Sequence, residues 1–160
     1  MNNENNQRIQ NRLRTGLGIL LAGFLIFLIG IRPAYFGLDR SPVIGFVQIA
    51  VFLIGLAVMC GGGYVTLNAL WNGRDKSLAA DIGLRLVSTG YLIAVMSGMA
   101  DVFGIGSHRF PKVPYFGVIQ AVGVIAGQLL IVLGFLMTIP RPYRHPRPSQ
   151  DLPSQEKKAD

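Results

Sequence analysis

A long segment without a charged residue runs through residues 43–69 as VIGFVQIAVFLIGLAVMCGGGYVTLNA. Three further segments share its apolar character, at residues 17–31, 86–100 and 115–139. A bilayer's hydrocarbon core, about 30 Å thick, needs roughly 20 apolar residues in a helix. Flanking residues extend the two shorter segments to that length. The sequence therefore predicts an all-α integral membrane protein with four transmembrane helices.

Composition supports this class. Hydrophobic residues make up 51% of the chain and charged residues only 14%, whereas soluble domains average about 25% charged residues. We predict a disordered N-terminal segment at 1–12, a four-helix transmembrane domain at 13–140, and a disordered cytoplasmic tail at 141–160. Neither polar end is long enough to bury a core of its own.

The basic residues predict the orientation of the helices. Eleven of the fifteen Lys and Arg residues fall on one side of a four-span arrangement, in the N-terminal segment, the middle loop and the tail; the other side holds Arg32, Arg40, Arg109 and Lys112. Basic residues in short loops favour the cytoplasmic side. We therefore expect a cell-membrane protein with both termini in the cytoplasm. The net charge of +7 then indicates contact with anionic lipids rather than binding of nucleic acid, since no folded basic groove is predicted.

The even-numbered spans contain a repeated pattern. Pro42, Gly45, Gln48 and Gly55 recur 72 positions later as Pro114, Gly117, Gln120 and Gly127. The odd-numbered spans repeat more loosely, with Leu13-Arg14 and Gly18 resembling Leu84-Arg85 and Gly90, and Phe36-Gly37-Leu38 resembling Phe103-Gly104-Ile105. These matches predict two tandem, similar hairpins at about 13–71 and 84–140. Their symmetry axis would run along the membrane normal, as in parallel repeats.

Three residues are predicted to anchor the helices at the cytoplasmic interface, namely Arg14, Arg85 and Trp71. A charge in mid-membrane is costly, but a long arginine side chain near a helix end places its guanidinium among the headgroups. Asp81 lies four residues before Arg85, a spacing that lets the two side chains pair on one helix face. Tryptophan is enriched at membrane interfaces.

Small residues at four-residue spacing predict where helices pack. Close van der Waals approach drives helix association in lipid. Span three carries Gly90, Ala94 and Gly98, and span four carries Gly123 and Gly127. We expect these faces to meet other helices.

Three glutamines lie within the apolar segments, Gln48, Gln120 and Gln128. A glutamine in the membrane needs a hydrogen-bond partner, so each of them is expected to link helices. A sharper hypothesis is that Gln48 and Gln120 face each other near the pseudo-axis and line a polar site.

Chemistry-bearing residues are sparse, and no catalytic, cofactor or metal site is predicted. Cys60 is the only cysteine, so thiol exchange lacks a second sulfur. His108 and His145 both fall outside the spans, where they cannot supply the axial ligands of a haem held within the bundle. Asp101 closes span three and is expected to form a solvated ion pair with the basic loop that follows it. The sequence thus indicates a non-enzymatic protein without a cofactor.

Our functional hypothesis is an accessory or structural subunit of a larger membrane complex, with another membrane protein or a second copy as partner. A small transporter or channel with a glutamine-lined polar site is the alternative. It predicts a water-accessible cavity or an oligomer enclosing one. A membrane enzyme comes third.

Overall fold

The computed structural model describes residues 2–37, 45–105 and 116–140. They form four long helices, α1 (Asn2–Ile31), α2 (Phe46–Trp71), α3 (Leu78–Gly98) and α4 (Val118–Thr138), with a 3₁₀ turn at Pro33–Phe36 after α1. All four helices are long and apolar enough to cross a membrane. The fold is therefore all-helical, as predicted, and compatible with a multi-pass membrane protein. The tail at 141–160 and the prolines Pro42 and Pro114 lie outside the described residues.

Helix α1 begins well before the apolar span. It starts at Asn2, within the segment at 1–12 for which the sequence predicts disorder. This stretch contains neither proline nor glycine, and Glu4 lies in the first turn, where a carboxylate interacts favourably with the helix dipole. Because helix propagation costs far less than nucleation, the apolar span extends its helix through these polar residues.

The turn between α2 and α3 is defined by local chemistry. Asn72 and Gly73 adopt left-handed backbone angles, with φ of 47° and 75°, which end α2. Ser77 then begins α3, since its side-chain oxygen accepts a hydrogen bond from the Ala80 backbone nitrogen at 3.2 Å. A serine at this position satisfies one of the unpaired N–H groups of a helix N-terminus.

The first hairpin, α1 with α2, is held together by close backbone contact. Gly16, Gly23 and Gly30 of α1 recur every seven residues and face α2. A Cβ atom at Gly23 would lie only 2.5 Å from the Met59 nitrogen and 3.1 Å from the Gly55 carbonyl oxygen. No side chain fits there, so glycine permits the approach of the two backbones.

The second hairpin, α3 with α4, packs in the same way. A Cβ at Gly90 would lie 2.6 Å from the Gly127 oxygen, and a Cβ at Gly127 would lie 2.5 Å from the Gly90 oxygen. Gly83 and Gly134 show the same reciprocal approach, at 2.5 Å in each direction. Both hairpins are therefore glycine-mediated helix pairs.

Contacts between the hairpins are much sparser than contacts within them, and they run through α2. Leu53 and Leu56 of α2 pack with Val87, Ala94 and Ile131 to form the small buried core. At one end of the molecule, the Trp71 indole nitrogen donates a hydrogen bond to the Thr138 carbonyl oxygen at 3.0 Å. This bond joins the last residues of α2 and α4, so these two helices end on the same side.

Candidate functional site

Two of the predicted glutamines line one cavity. Gln48 and Gln128 border a cavity of about 270 Å³ between α1, α2 and α4. The Gln48 amide nitrogen donates to the Ile31 carbonyl oxygen at 3.4 Å, so this side chain helps to satisfy the end of α1. The Gln128 amide has no protein hydrogen-bond partner among residues 2–37, 45–105 and 116–140. Its polar group is therefore available to a ligand.

Gln120 has a different environment from the one hypothesised. Its side-chain oxygen accepts a hydrogen bond from the Gly117 backbone nitrogen at 2.8 Å, and the residue is 8% exposed. It caps its own helix and does not border the cavity lined by Gln48 and Gln128. The structure thus pairs Gln48 with Gln128 along one cavity wall and leaves Gln120 at the N-terminus of α4.

A larger apolar cavity adjoins the first one, and Gln128 borders both. This second cavity, of about 470 Å³, has Phe27, Met59, Cys60 and Phe135 among its walls. Thr66 also lines it, but the Thr66 hydroxyl donates to the Gly62 carbonyl oxygen at 2.8 Å within α2. The crevice between α1 and α4 therefore suits an apolar group or an acyl chain. Among the described residues that line it, no pair of side chains is suited to acid–base chemistry.

The predicted packing residues lie together in the second hairpin. Ala94 is fully buried, and its backbone nitrogen would be 2.8 Å from a Cβ at Gly127. A Cβ at Gly123 would clash with the Ser97 side chain. Gly98 instead faces the first hairpin, where a Cβ would be 3.4 Å from a side-chain carbon of Ile49.

The three predicted anchors differ in exposure. Arg14 is exposed on α1. The Arg85 side chain is 81% exposed and forms the expected ion pair with Asp81, at 3.2 Å. Trp71 is only 6% exposed, because its ring lies between helices. Its N–H donates a hydrogen bond to the Thr138 carbonyl oxygen of α4. Its interfacial role remains a prediction, to which the structure adds a link between the hairpins.

Asp101 lies in the turns that follow α3. Its Oδ1 atom is buried without a hydrogen-bond partner in the described part of the chain. The basic residues expected to pair with it, Arg109 and Lys112, lie outside the described residues, as does His108. Within the described ranges, no three His, Cys, Asp or Glu residues are grouped as metal ligands would be.

The sequence prediction did not identify the glycines of α1 that approach the backbone of α2. Gly16, Gly23 and Gly30 are spaced by seven, as are Gly55 and Gly62. A seven-residue spacing keeps one helix face against its partner. That periodicity is present in the sequence, but it differs from the four-residue spacing on which the packing prediction rests.

Comparison of the chain with protein-family models, with curated proteins and with solved structures finds no match. The fold alone therefore defines the class. It is an all-helical protein with four helices long and apolar enough to span a membrane.

Proposed function

We propose that this chain is a multi-pass protein of the cell membrane, with both termini in the cytoplasm, that serves as an accessory or structural subunit of a larger membrane complex. The observation that carries this proposal is the contrast between dense packing within each hairpin and sparse packing between them. In lipid, helix association depends on close packing and interhelical hydrogen bonds. Because the two hairpins cover so little of each other, much helix surface is left for a partner to pack against.

The outer face of α1 is the surface where such a partner would dock. Gly18 has open space around its Cβ position, and Ala22 is exposed four residues later. Leu21 and Leu25, at 53% and 57% exposure, flank them. Gly16, Gly23 and Gly30, on the opposite face of α1, all contact α2. The face with Gly18 and Ala22 has no neighbouring helix within the described structure. A neighbouring transmembrane helix is its best-fitting occupant.

Purification in a mild detergent, with mass measurement and identification of the proteins that remain bound, tests the subunit role. We expect a complex of defined stoichiometry that dissociates when Gly18 and Ala22 are both replaced by leucine. Leu92→Ala, on the exposed face of α3, is the control and should leave the complex intact. A wild-type protein that is monomeric under all mild conditions would contradict the subunit role.

A small transporter or channel is the second candidate, and the shared cavity of Gln48 and Gln128 favours it. Its test is substrate uptake or conductance after reconstitution into liposomes. The double variant Gln48→Leu/Gln128→Leu should abolish the activity. Unchanged activity in a folded double variant would remove the glutamines from any pathway.

An internal repeat is part of the proposal, and the contacts suggest its register. Gly23 contacts α2 beside Gly55, as Gly90 contacts α4 beside Gly127. In this register α3 follows α1 by 67 positions, while α4 follows α2 by 72. The earlier match of Gly18 with Gly90 differs from it, since Gly18 faces outward and Gly90 is buried. An experimental structure tests the repeat by superposition of the two hairpins with these glycines aligned.

A further inference from the structure

A basic cavity lies where the start of α1 passes the end of α2. It has a volume of about 210 Å³ and is lined by Arg12 of α1 and by Asn68, Asn72, Arg74 and Lys76 from the end of α2 and the turn after it. This basic cavity is on a different part of the molecule from the cavity lined by Gln48 and Gln128, and the two cavities share no lining residue. Three cationic side chains and two amides therefore surround one space.

Among residues 2–37, 45–105 and 116–140, no carboxylate lines this cavity or forms an ion pair with its cations. Asp75 lies between Arg74 and Lys76 in sequence but does not line the cavity. Within the described ranges, a single ion pair is formed, between Arg85 and Asp81 of α3. It involves none of the cations that line the cavity. Arg12, Arg74 and Lys76 thus leave a positive site that an anion would neutralise.

The turn after α2 holds Arg74 and Lys76 in position. The left-handed backbone of Asn72 and Gly73 folds the chain back, so that Arg74 donates from Nε to the Trp71 oxygen at 3.3 Å and from Nη2 to the Leu70 oxygen at 3.5 Å. The carbonyl end of a helix is unfavourable for an anion, and the Arg74 guanidinium offsets this. Lys76 is held with its Nζ 5.3 Å from the centre of the Tyr64 ring.

We propose that this cavity binds a phosphate group, with Arg12, Arg74 and Lys76 as its cationic ligands and the Asn68 and Asn72 amides as further donors. Guanidinium and ammonium groups are the usual partners of phosphate in proteins. The cavity lies at the end of the apolar part of α2, the level at which lipid headgroups lie beside a spanning helix. The phosphate source is an anionic phospholipid headgroup or a soluble phosphate. This inference does not depend on the accessory role proposed above.

Native mass spectrometry of the full-length protein in a neutral detergent, titrated with phosphatidylglycerol, tests the site. The pocket variant Arg12→Gln/Lys76→Gln is compared with Arg8→Gln/Arg32→Gln, which removes the same charge from exposed positions on and just after α1 that do not line the cavity. We expect the pocket variant to lose affinity about fivefold for each cation removed, or about 25-fold in all, because each cation contributes a direct hydrogen-bonded contact with the phosphate. The matched variant should lose much less. Equal losses in both variants would overturn the proposal, because they would show general attraction to the charged surface.

Parallel titrations with glycerol phosphate and with inorganic phosphate distinguish the two sources. Binding of the lipid alone, lost in the pocket variant, assigns the site to a headgroup. Binding of soluble phosphate with the same loss assigns it to a free phosphate. Lys76→Gln, in the turn between two helices, is a second variant that avoids any effect on α1. If Lys76→Gln binds all three ligands as the wild type does, the site is not built as proposed.

Discussion

At the scale of single residues, stability depends on which glycines face another backbone. Gly127 lies against Gly90 and Ala94, whereas a Cβ at Gly61 would meet nothing within 4 Å. These two glycines belong to helices of similar composition and differ mainly in what lies opposite them. Substitution separates a packing effect from the general effect of adding a side chain to a helix.

Gly127→Val should lower the free energy of unfolding by about 1–3 kcal/mol or more, since overpacking forces the backbones apart. Gly61→Val is the control and should change stability little, because its side chain would enter open space. Thermal unfolding in a mild detergent measures both. Equal destabilisation would show that α3 and α4 do not approach as closely as the structure describes.

Trp71→Phe should lower stability by about 1–3 kcal/mol, because the buried Thr138 carbonyl would lose its hydrogen-bond donor. Tyr35→Phe, at a residue that is 80% exposed, is the matched control on an aromatic ring and should be neutral. Chemical unfolding followed by circular dichroism suits both variants. A neutral Trp71→Phe would indicate that the indole N–H bonds water or lipid instead.

At the scale of helices, the start of α3 depends on a side-chain hydrogen bond that lipid does not supply. Ser77 is exposed at the start of α3 and binds the Ala80 nitrogen. Ser88, on the same helix, donates from its hydroxyl to the Leu84 carbonyl oxygen at 3.2 Å and caps nothing. The two serines therefore allow the capping contribution to be measured alone.

Ser77→Ala should cost about 0.5–2 kcal/mol of stability through loss of the cap. Amide hydrogen exchange should accelerate at Ala80 and in the first turn of α3. Ser88→Ala should leave these amides protected. Accelerated exchange in both variants would instead indicate a general loosening of α3.

At the scale of the whole molecule, the two hairpins fix which helix ends lie together. The Trp71–Thr138 bond places the ends of α2 and α4 side by side, so the turn after α2 is on the same side as the end of α4. The basic residues then predict that this side is cytoplasmic.

Labelling of single cysteines in intact cells tests this sidedness. In a Cys60→Ala background, Val102→Cys should react with a membrane-impermeant maleimide from outside. Asp75→Cys should react only after the membrane is permeabilised, because it lies in the turn between α2 and α3. Reaction of Asp75→Cys in intact cells would invert the proposed orientation.

The class of fold follows from the amino-acid sequence alone. Length and hydropathy are additive properties of a segment, so four apolar runs were enough to predict four helices, and the spacing of Asp81 and Arg85 was enough to predict their ion pair. The sequence also indicated that the Gly90–Ala94 face would be a contact face, although not which helix it meets.

Which residues come together across helices is known only from the packing of the folded chain. Gln128 joins Gln48 along a cavity while Gln120 caps α4, and Arg12 joins Lys76 across more than sixty positions of sequence. Such pairings depend on the rotation of each helix about its axis. They also depend on how closely the helices approach each other at the glycines that are spaced seven residues apart. The composition of a single span leaves both undetermined, because its several faces are nearly equally apolar until a neighbouring helix selects one.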